Sequence, residues 1–322
     1  MNNSINTLLL TCSHFNPTKD ELRRLQCTYP QLKITVENQT SYSSKELEQA
    51  EIIVGFPKPD DLIKAKSLLW LQTPSAGIQE YADKKLFSNA NIMLTNSRGT
   101  FGRQIGDHVI GMIIAFNHNF FTYHEQMKEK KWIRYFPTKD IWDSTILIVG
   151  LGDIGTNIAK RAKVLGMYVI AIKRTIFEKP EFVDELYTLE EIDSQIPKAD
   201  YVVLSLASTP KTIKIFNKER IALMKRDALF INIARGDLVD QTALVTALQE
   251  KKIAGAGLDA TSPEPLETTC ELWDMENVFI TPHASGLSPS DPSSVFEIFF
   301  HNVKNYIEKE PLKNVINFQE RY

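Results

Sequence analysis

Cysteine is scarce in this chain. There are three in 322 residues, Cys12, Cys27 and Cys270, far apart and odd in number. They offer no disulfide framework and no metal-ligand spacing. Long apolar runs are also missing. The longest, residues 109–116, falls far short of the roughly 20 residues a membrane-spanning helix needs. The first apolar run, residues 8–10, is too short for a secretory signal and has no basic lead. These absences argue for a cytoplasmic protein with no membrane partner. Neither sign of charge dominates: 37 Lys and Arg stand against 40 Asp and Glu, a net charge of −3. Without a basic surplus, nucleic acid is not an expected partner. The basic run at 128–131 is broken by Glu129 and reads as a solvated helix face. Extended disorder is excluded by a composition of 43% hydrophobic and 24% charged residues. The length suits two domains rather than one core.

What is present is organised around residues 145–175, TILIVGLGDIGTNIAKRAKVLGMYVIAIKRT. An apolar, β-rich run leads into Gly150-Leu151-Gly152-Asp153-Ile154-Gly155. A helical stripe of Ile154, Ile158, Ala162 and Leu165 follows, Gly166 ends it, and residues 168–172 read as a second strand. Strand, glycine turn, helix and strand within about 30 residues is the setting of a dinucleotide-binding fingerprint. In this reading Gly150 permits the turn, Gly152 lets backbone approach a pyrophosphate and Gly155 lets helix pack on strand. The helix N-terminus offers free N–H groups to the phosphates. Methyltransferases also use glycine-rich first turns, so the motif alone does not settle the reaction. An NAD site expects an acidic residue at the end of the second strand. Here that end reads Lys173-Arg174-Thr175. Two cations and a hydroxyl suit a 2′-phosphate instead.

The first hundred residues alternate short β runs, at 7–12, 33–37, 51–56, 68–72 and 92–96, with polar helical stretches at 18–26, 43–49 and 60–66. That alternation implies a parallel sheet with helices on both faces, whose ligands lie beyond the carboxyl ends of the strands. Two loops stand there: residues 13–17 and Thr73-Pro74-Ser75-Ala76-Gly77. The small residues Ser75, Ala76 and Gly77 expose amides that suit a carboxylate. Residues 101–123 read as a buried connecting helix. Residues 126–143 are polar but carry Trp132, Tyr135, Phe136 and Trp142, an aromatic segment that covers either a partner subunit or its own domain. A second doubly wound sheet then runs through strands at 145–149, 168–172, 201–206, 228–233, 257–259 and 278–281, with helices at 189–196, 218–224 and 241–250. A last helix at 292–308 returns toward the first sheet, followed by an extended tail. The expected layout is a discontinuous domain of residues 1–100 and 288–322 and a dinucleotide-binding domain of 101–287, with ligands in the cleft between them.

Three late β runs are each followed by a loop with one ionisable residue: Arg235 after 228–233, Glu264 after 257–259 and His283 after 278–281. The other histidines, His14, His108, His118, His124 and His301, read as structural. His118 and His124 are spaced wrongly for one helical face, so no metal is expected.

GLGDIG, NIARGDLVD, GLDATSPEPL and ENVFITPHASG, in that order, resemble the D-isomer-specific 2-hydroxyacid dehydrogenases over nearly the whole chain. The resemblance implies an α/β fold of two doubly wound parallel-sheet domains, a flavodoxin-like substrate domain and a Rossmann nucleotide-binding domain, with a cleft between. It places catalytic roles on Arg235, Glu264 and His283. The glycine turn, the strand end after 168–172 and the resemblance together put cofactor contacts on Gly150, Gly152, Asp153, Ile154, Gly155, Lys173, Arg174, Thr175, Leu206, Thr212, Ile233 and Asp259. Substrate contacts fall on Ser75, Ala76, Gly77, Arg235 and His283.

In that family reading, His283 exchanges a proton with the substrate oxygen. Glu264 orients the ring, and Arg235 holds the substrate carboxylate and polarises the carbonyl. The chain departs from the family at Ile105-Gly106-Asp107, at Ala207-Ser208-Thr209-Pro210 and, with most consequence, at Lys173. The last departure points to NADP in preference to NAD and to reduction of a small 2-keto acid to a D-2-hydroxy acid. That brings the chain closest to the NADPH-dependent glyoxylate/hydroxypyruvate reductase-like branch. A homodimer is the family expectation. The alternative is a non-catalytic NAD(P)-sensing co-regulator of the same fold.

Overall fold

The computed structural model describes residues 4–134, 138–289 and 291–320. The chain divides into two compact units, Met1–Phe101 with Leu287–Tyr322, and Gly102–Gly286.

In the first unit the strands are β1 (Ile5–Thr11), β2 (Leu32–Asn38), β3 (Ile52–Val54), β4 (Trp70–Gln72) and β5 (Met93–Thr95). All pair in parallel, in the order β2-β1-β3-β4-β5, the flavodoxin-like winding. Leu8, Leu9 and Leu10 of β1 are buried in succession, as befits a strand covered on both faces. Helix α1 (Lys19–Thr28) starts at a capping box, in which Thr18 and Glu21 satisfy each other's backbone N–H. Helix α2 spans Ser44–Gln49. The expected third helix is a 3₁₀ turn, Pro59–Lys64. Six residues opened by proline and closed at Ala65 give a tight turn too little length to become a stable α-helix. The closing helix, Asp291–Glu308, buries Val295, Phe296, Phe299 and Val303. Phe299 and Tyr306 both lie against the buried Trp70 of β4. The tail then runs beside β5, with Thr95 and Val315 in an antiparallel bridge.

The second unit opens with α3 (Gly102–Asn117) and α4 (Phe120–Lys128). One continuous helix is what the apolar pattern predicts. It breaks because Asn119 takes the left-handed conformation, which asparagine tolerates better than most residues. Phe121 of α4 then stacks on Phe279. Of the aromatic segment beyond, Trp132 is 98% exposed and so does not cover its own domain. Trp142 lies over Gly166, where a Cβ would stand 2.4 Å from its ring. Tyr135 and Phe136 lie outside the described residues.

The sheet is built from β6 (Thr145–Val149), β7 (Tyr168–Ile172), β8 (Glu185–Tyr187), β9 (Tyr201–Leu204), β10 (Leu229–Asn232), β11 (Gly255–Leu258) and β12 (Val278–Ile280), all parallel. Its order, β12-β11-β10-β9-β6-β7-β8, is Rossmann winding with one further strand. Around it lie α5 (Asp153–Val164), α6 (Ile192–Gln195), α7 (Lys218–Ala222) and α8 (Gln241–Gln249). The predicted helix at 189–196 divides into a 3₁₀ turn, Leu189–Glu191, and the short α6. Strand β8 was not expected: three half-buried residues at a sheet edge carry no apolar run to announce them.

Asp200 ties this sheet together at its amino edge. Its carboxylate accepts from the Thr145 amide at 2.8 Å and from Lys225 at 3.0 Å, with Lys139 at 3.4 Å. Burial pushes the acid up, but the amide and the two ammoniums outweigh it and hold it below the usual carboxylate range. A depressed folded value stabilises above the unfolded value of about 3.9 and is lost as pH falls through the folded one. Asp200→Asn is therefore expected to cost about 2 kcal/mol near neutral pH. In urea titrations the gap to the parent protein should shrink below about pH 4. A gap independent of pH would assign the loss to packing.

Candidate active site

Gly150 follows β6 at φ +109°. Its amide and that of Leu151 both donate to the Ile172 carbonyl at 3.0 Å, so the turn folds directly onto the end of β7. A Cβ on Gly150 would stand 2.7 Å from the Leu206 amide nitrogen, and one on Gly155 would stand 2.1 Å from the Gly150 carbonyl oxygen. Only glycine allows both approaches. A Cβ on Gly152, by contrast, would meet nothing within 4 Å. That face of the turn is open to a ligand. Asp153, Ile154 and Gly155 form the first turn of α5, where no intrahelical carbonyl reaches their amides. The Asp153 side chain accepts from the Gly102 amide at 3.0 Å. Lys173 follows β7 directly and is half-buried, with its amide on the Tyr187 carbonyl; Arg174 and Thr175 are exposed. The cations thus sit one and two residues beyond the carbonyl that anchors the glycine turn.

On the other side of β6, Ser205 donates to the Gly150 carbonyl at 2.7 Å. Thr212 closes the loop beyond it, accepting from the Thr209 amide and donating to the Ala207 carbonyl, both at 2.8 Å. Ile233, at the end of β10, is buried.

Arg235 stands in extended backbone after β10. Asn232, fully buried, donates to the Arg235 carbonyl at 2.9 Å and to the Ala260 carbonyl at 3.3 Å. Those bonds tie the arginine loop to the loop after β11. Gly236 presses the two together: a Cβ there would stand 1.9 Å from the Thr261 carbonyl oxygen. Glu264 accepts from the Thr261 amide at 3.1 Å with one oxygen and meets His283 Nδ1 at 2.8 Å with the other. His283 Nε2 lies 3.4 Å from Arg235 Nη1. The three ionisable loop residues therefore converge.

Burial pushes Glu264 up, but the His283 hydrogen bond and charge, the Thr261 amide and Arg235 pull its carboxyl below the usual range. It is ionised at neutral pH and accepts a hydrogen bond from the Nδ1–H of His283. Burial lowers Arg235, against the pull of Glu264, Asp237 and Asp259. A guanidinium nonetheless stays charged.

Asp259 is 2% exposed. Its carboxylate accepts from Thr281 Oγ1 at 2.6 Å, the Ala284 amide at 2.8 Å and the Ser285 amide at 3.2 Å, and from the Ser285 hydroxyl. This wraps the His283 loop around the buried Asp259 carboxylate, with His283 at φ +50°, a left-handed conformation uncommon outside glycine. The sequence gives no sign of the parts played here by Asn232, Thr281 and Ser285. Ser75, Ala76 and Gly77 belong to the first unit. There they follow β4, with Ser75 donating to the Gly77 carbonyl at 2.6 Å and Asn96 to the Ala76 carbonyl at 2.6 Å.

Among the described residues, no group of three His, Cys, Asp or Glu side chains could hold a metal ion. Nor is any helix among them long and apolar enough to cross a membrane.

The chain is similar to known proteins in sequence and fold. The family described as D-isomer specific 2-hydroxyacid dehydrogenase, NAD binding domain, matches residues 110–285. A glycerate dehydrogenase of Methylorubrum extorquens is 31% identical over 84% of this chain and 87% of its own. A glyoxylate reductase of Korarchaeum cryptofilum is 32% identical over 73% of this chain and 72% of its own. A D-isomer specific 2-hydroxyacid dehydrogenase family protein from Aeromonas salmonicida aligns in structure with a TM-score of 0.86 at 31% identity, covering 98% of this chain and 100% of that one. The chain belongs to the D-isomer specific 2-hydroxyacid dehydrogenase family.

Proposed function

We propose that the protein is an NADPH-preferring reductase of small 2-keto acids, yielding D-2-hydroxy acids, with His283 as acid/base, Glu264 orienting it and Arg235 binding substrate. The observation that carries this reading is the 3.4 Å approach of Arg235 Nη1 to His283 Nε2, with Nδ1 of the same ring on Glu264. A protonated His283 and Arg235 present two donors to one small space. Two donors so placed call for an acceptor between them, and a substrate carbonyl oxygen is such an acceptor. When bound, the dinucleotide supplies the hydride for C2. Arg235 polarises the carbonyl and stabilises the charge that grows on its oxygen. His283 delivers the proton from Nε2, while Glu264 keeps the ring from turning. In the reverse direction the same nitrogen takes the proton back.

The dinucleotide fits the groups available for it. The uncovered face at Gly152 and the free amides of the first turn of α5 suit a pyrophosphate. Lys173 and Arg174, next to the carbonyl that anchors the turn, favour a 2′-phosphate over a bare ribose. In this reading Leu206, Thr212 and Ile233 contact the cofactor, and Ser75, Ala76 and Gly77 bind the substrate carboxylate. The nearly full exposure of Trp132 supports a homodimer that covers it.

Absorbance at the reduced nicotinamide band, with NADPH and a panel including glyoxylate and hydroxypyruvate, tests the activity. Turnover of at least one 2-keto acid is expected. No oxidation with any of them would favour the sensing co-regulator. Glu264→Gln keeps an acceptor for Nδ1 but loses the charge. We expect kcat to fall about 10- to 100-fold with little change in the KM for NADPH. An unchanged kcat would remove Glu264 from the mechanism.

A further inference from the structure

His108 lies on α3, half-buried, in none of the loops that carry Arg235, Glu264 or His283. Its Nε2 stands 3.3 Å from Thr281 Oγ1. That hydroxyl has one proton, and its 2.6 Å contact with Asp259 Oδ1 requires it. A carboxylate only accepts, so the threonine donates to Asp259 and its oxygen is left to accept. The proton between His108 and Thr281 must therefore sit on Nε2. Asp259 in turn receives the amides of Ala284 and Ser285, the two residues that follow His283, and its own carbonyl accepts the His283 amide at 3.0 Å. Donation thus runs in one direction from the helix to the buried charge around which the histidine loop is wound.

We propose that His108 is a positioning residue for the hydride-transfer site, acting through Thr281 and Asp259 to hold His283 in its left-handed backbone conformation. His283 at φ +50° occupies a left-handed region that costs a non-glycine residue backbone strain. The loop keeps that shape only while Asp259 accepts from all its donors in the right directions. Without His108 the Thr281 hydroxyl loses its partner on one side and gains freedom to rotate off Asp259. A displacement of His283 by a fraction of an ångström is enough to slow proton delivery, because the reaction depends on near-attack geometry. Burial lowers the His108 imidazole, with the Asp259 charge opposing. The neutral Nε2–H form suffices for the chain.

The inference rests on His283 being the acid. Four variants test it with NADPH and the 2-keto acid turned over fastest: His108→Leu, Thr281→Val, the two combined, and His108→Gln, whose amide can donate in place of Nε2. His108→Leu and Thr281→Val should each lower kcat about 10- to 100-fold and leave the KM for NADPH within about 3-fold. The double variant should be no slower than the slower single one, because both break one chain. His108→Gln should recover to within about 3-fold of the parent protein. Hydrogen exchange adds a readout independent of turnover: residues 281–286 should exchange faster in both single variants. Thr281→Val is nearly isosteric, so it carries the test if His108→Leu does not fold. Multiplying losses, a full-rate Thr281→Val, or a His108→Gln as slow as His108→Leu would each overturn the proposal. If His283→Ala is inactive while Thr281→Val runs at full rate, only the chain is wrong. If His283→Ala stays active, the reading of the site fails with it.

Discussion

His283→Ala is expected to lower kcat/KM for 2-keto acid reduction by about three orders of magnitude and to leave NADPH binding within about 3-fold. The size follows from what the ring does. Carbonyl reduction leaves charge on the oxygen unless a proton arrives with the hydride, and a positioned acid is typically worth 10²- to 10⁴-fold. Water could replace the proton but not its placement. Arg235 would still polarise the carbonyl, so the variant should keep a measurable residual rate. NADPH binding should survive because the glycine turn and α5 do not depend on His283. The two are built from opposite ends of the sheet's sequence, β6 and β12. Steady-state kinetics with nicotinamide fluorescence as the binding assay would decide it. A variant retaining more than about a tenth of the parent rate would rule out His283 as the proton donor.

Lys173→Asp combined with Arg174→Ala should lower kcat/KM with NADPH about 100-fold or more and change it far less with NADH. Each charge-assisted hydrogen bond to a phosphate contributes on the order of 1.5–3 kcal/mol, or roughly 10- to 100-fold. The new carboxylate adds repulsion toward the 2′-phosphate and offers an acceptor to a ribose 2′-hydroxyl. Both residues follow the Ile172 carbonyl that receives the Gly150 and Leu151 amides, so the position of their backbone relative to the glycine turn is set by backbone pairing rather than by a flexible loop. Raising salt should weaken NADPH more than NADH in the parent protein and lose that difference in the variant. Equal losses for both cofactors would sink the 2′-phosphate reading.

Much of the site is legible because its parts are local. GLGDIG between an apolar run and a helical stripe specifies its own turn, and two of its three glycines answer a close backbone contact: Leu206 beside Gly150, and the Gly150 carbonyl beside Gly155. The strands of both sheets follow from continuous buried runs such as Leu8–Leu10 and Ile146–Val149, whose apolar character needs no partner to be recognised. Elements whose identity depends on neighbours are harder. Strand β8 is three residues with no apolar pattern of their own. The helix predicted across 101–123 breaks at one asparagine, which no hydrophobic period marks.

The sequence by itself determines that a dinucleotide turn is present, that two parallel sheets follow from alternating β and helical runs, and that Arg235, Glu264 and His283 each sit just past a strand. The tertiary structure alone decides that these three meet. Arg235 and His283 are 48 residues apart and Glu264 and His283 are 19 apart, and neither spacing has a period that implies contact. Their meeting depends on β10, β11 and β12 lying side by side in register, which delivers three loops to one sheet edge. The same holds for His108. On its helix it reads as structural; Thr281, and through it Asp259, meets it only because long-range packing sets α3 against the end of β12. Hydrophobic period and turn chemistry are encoded within a few residues, whereas hydrogen-bond chains between distant segments exist only once the sheet has assembled.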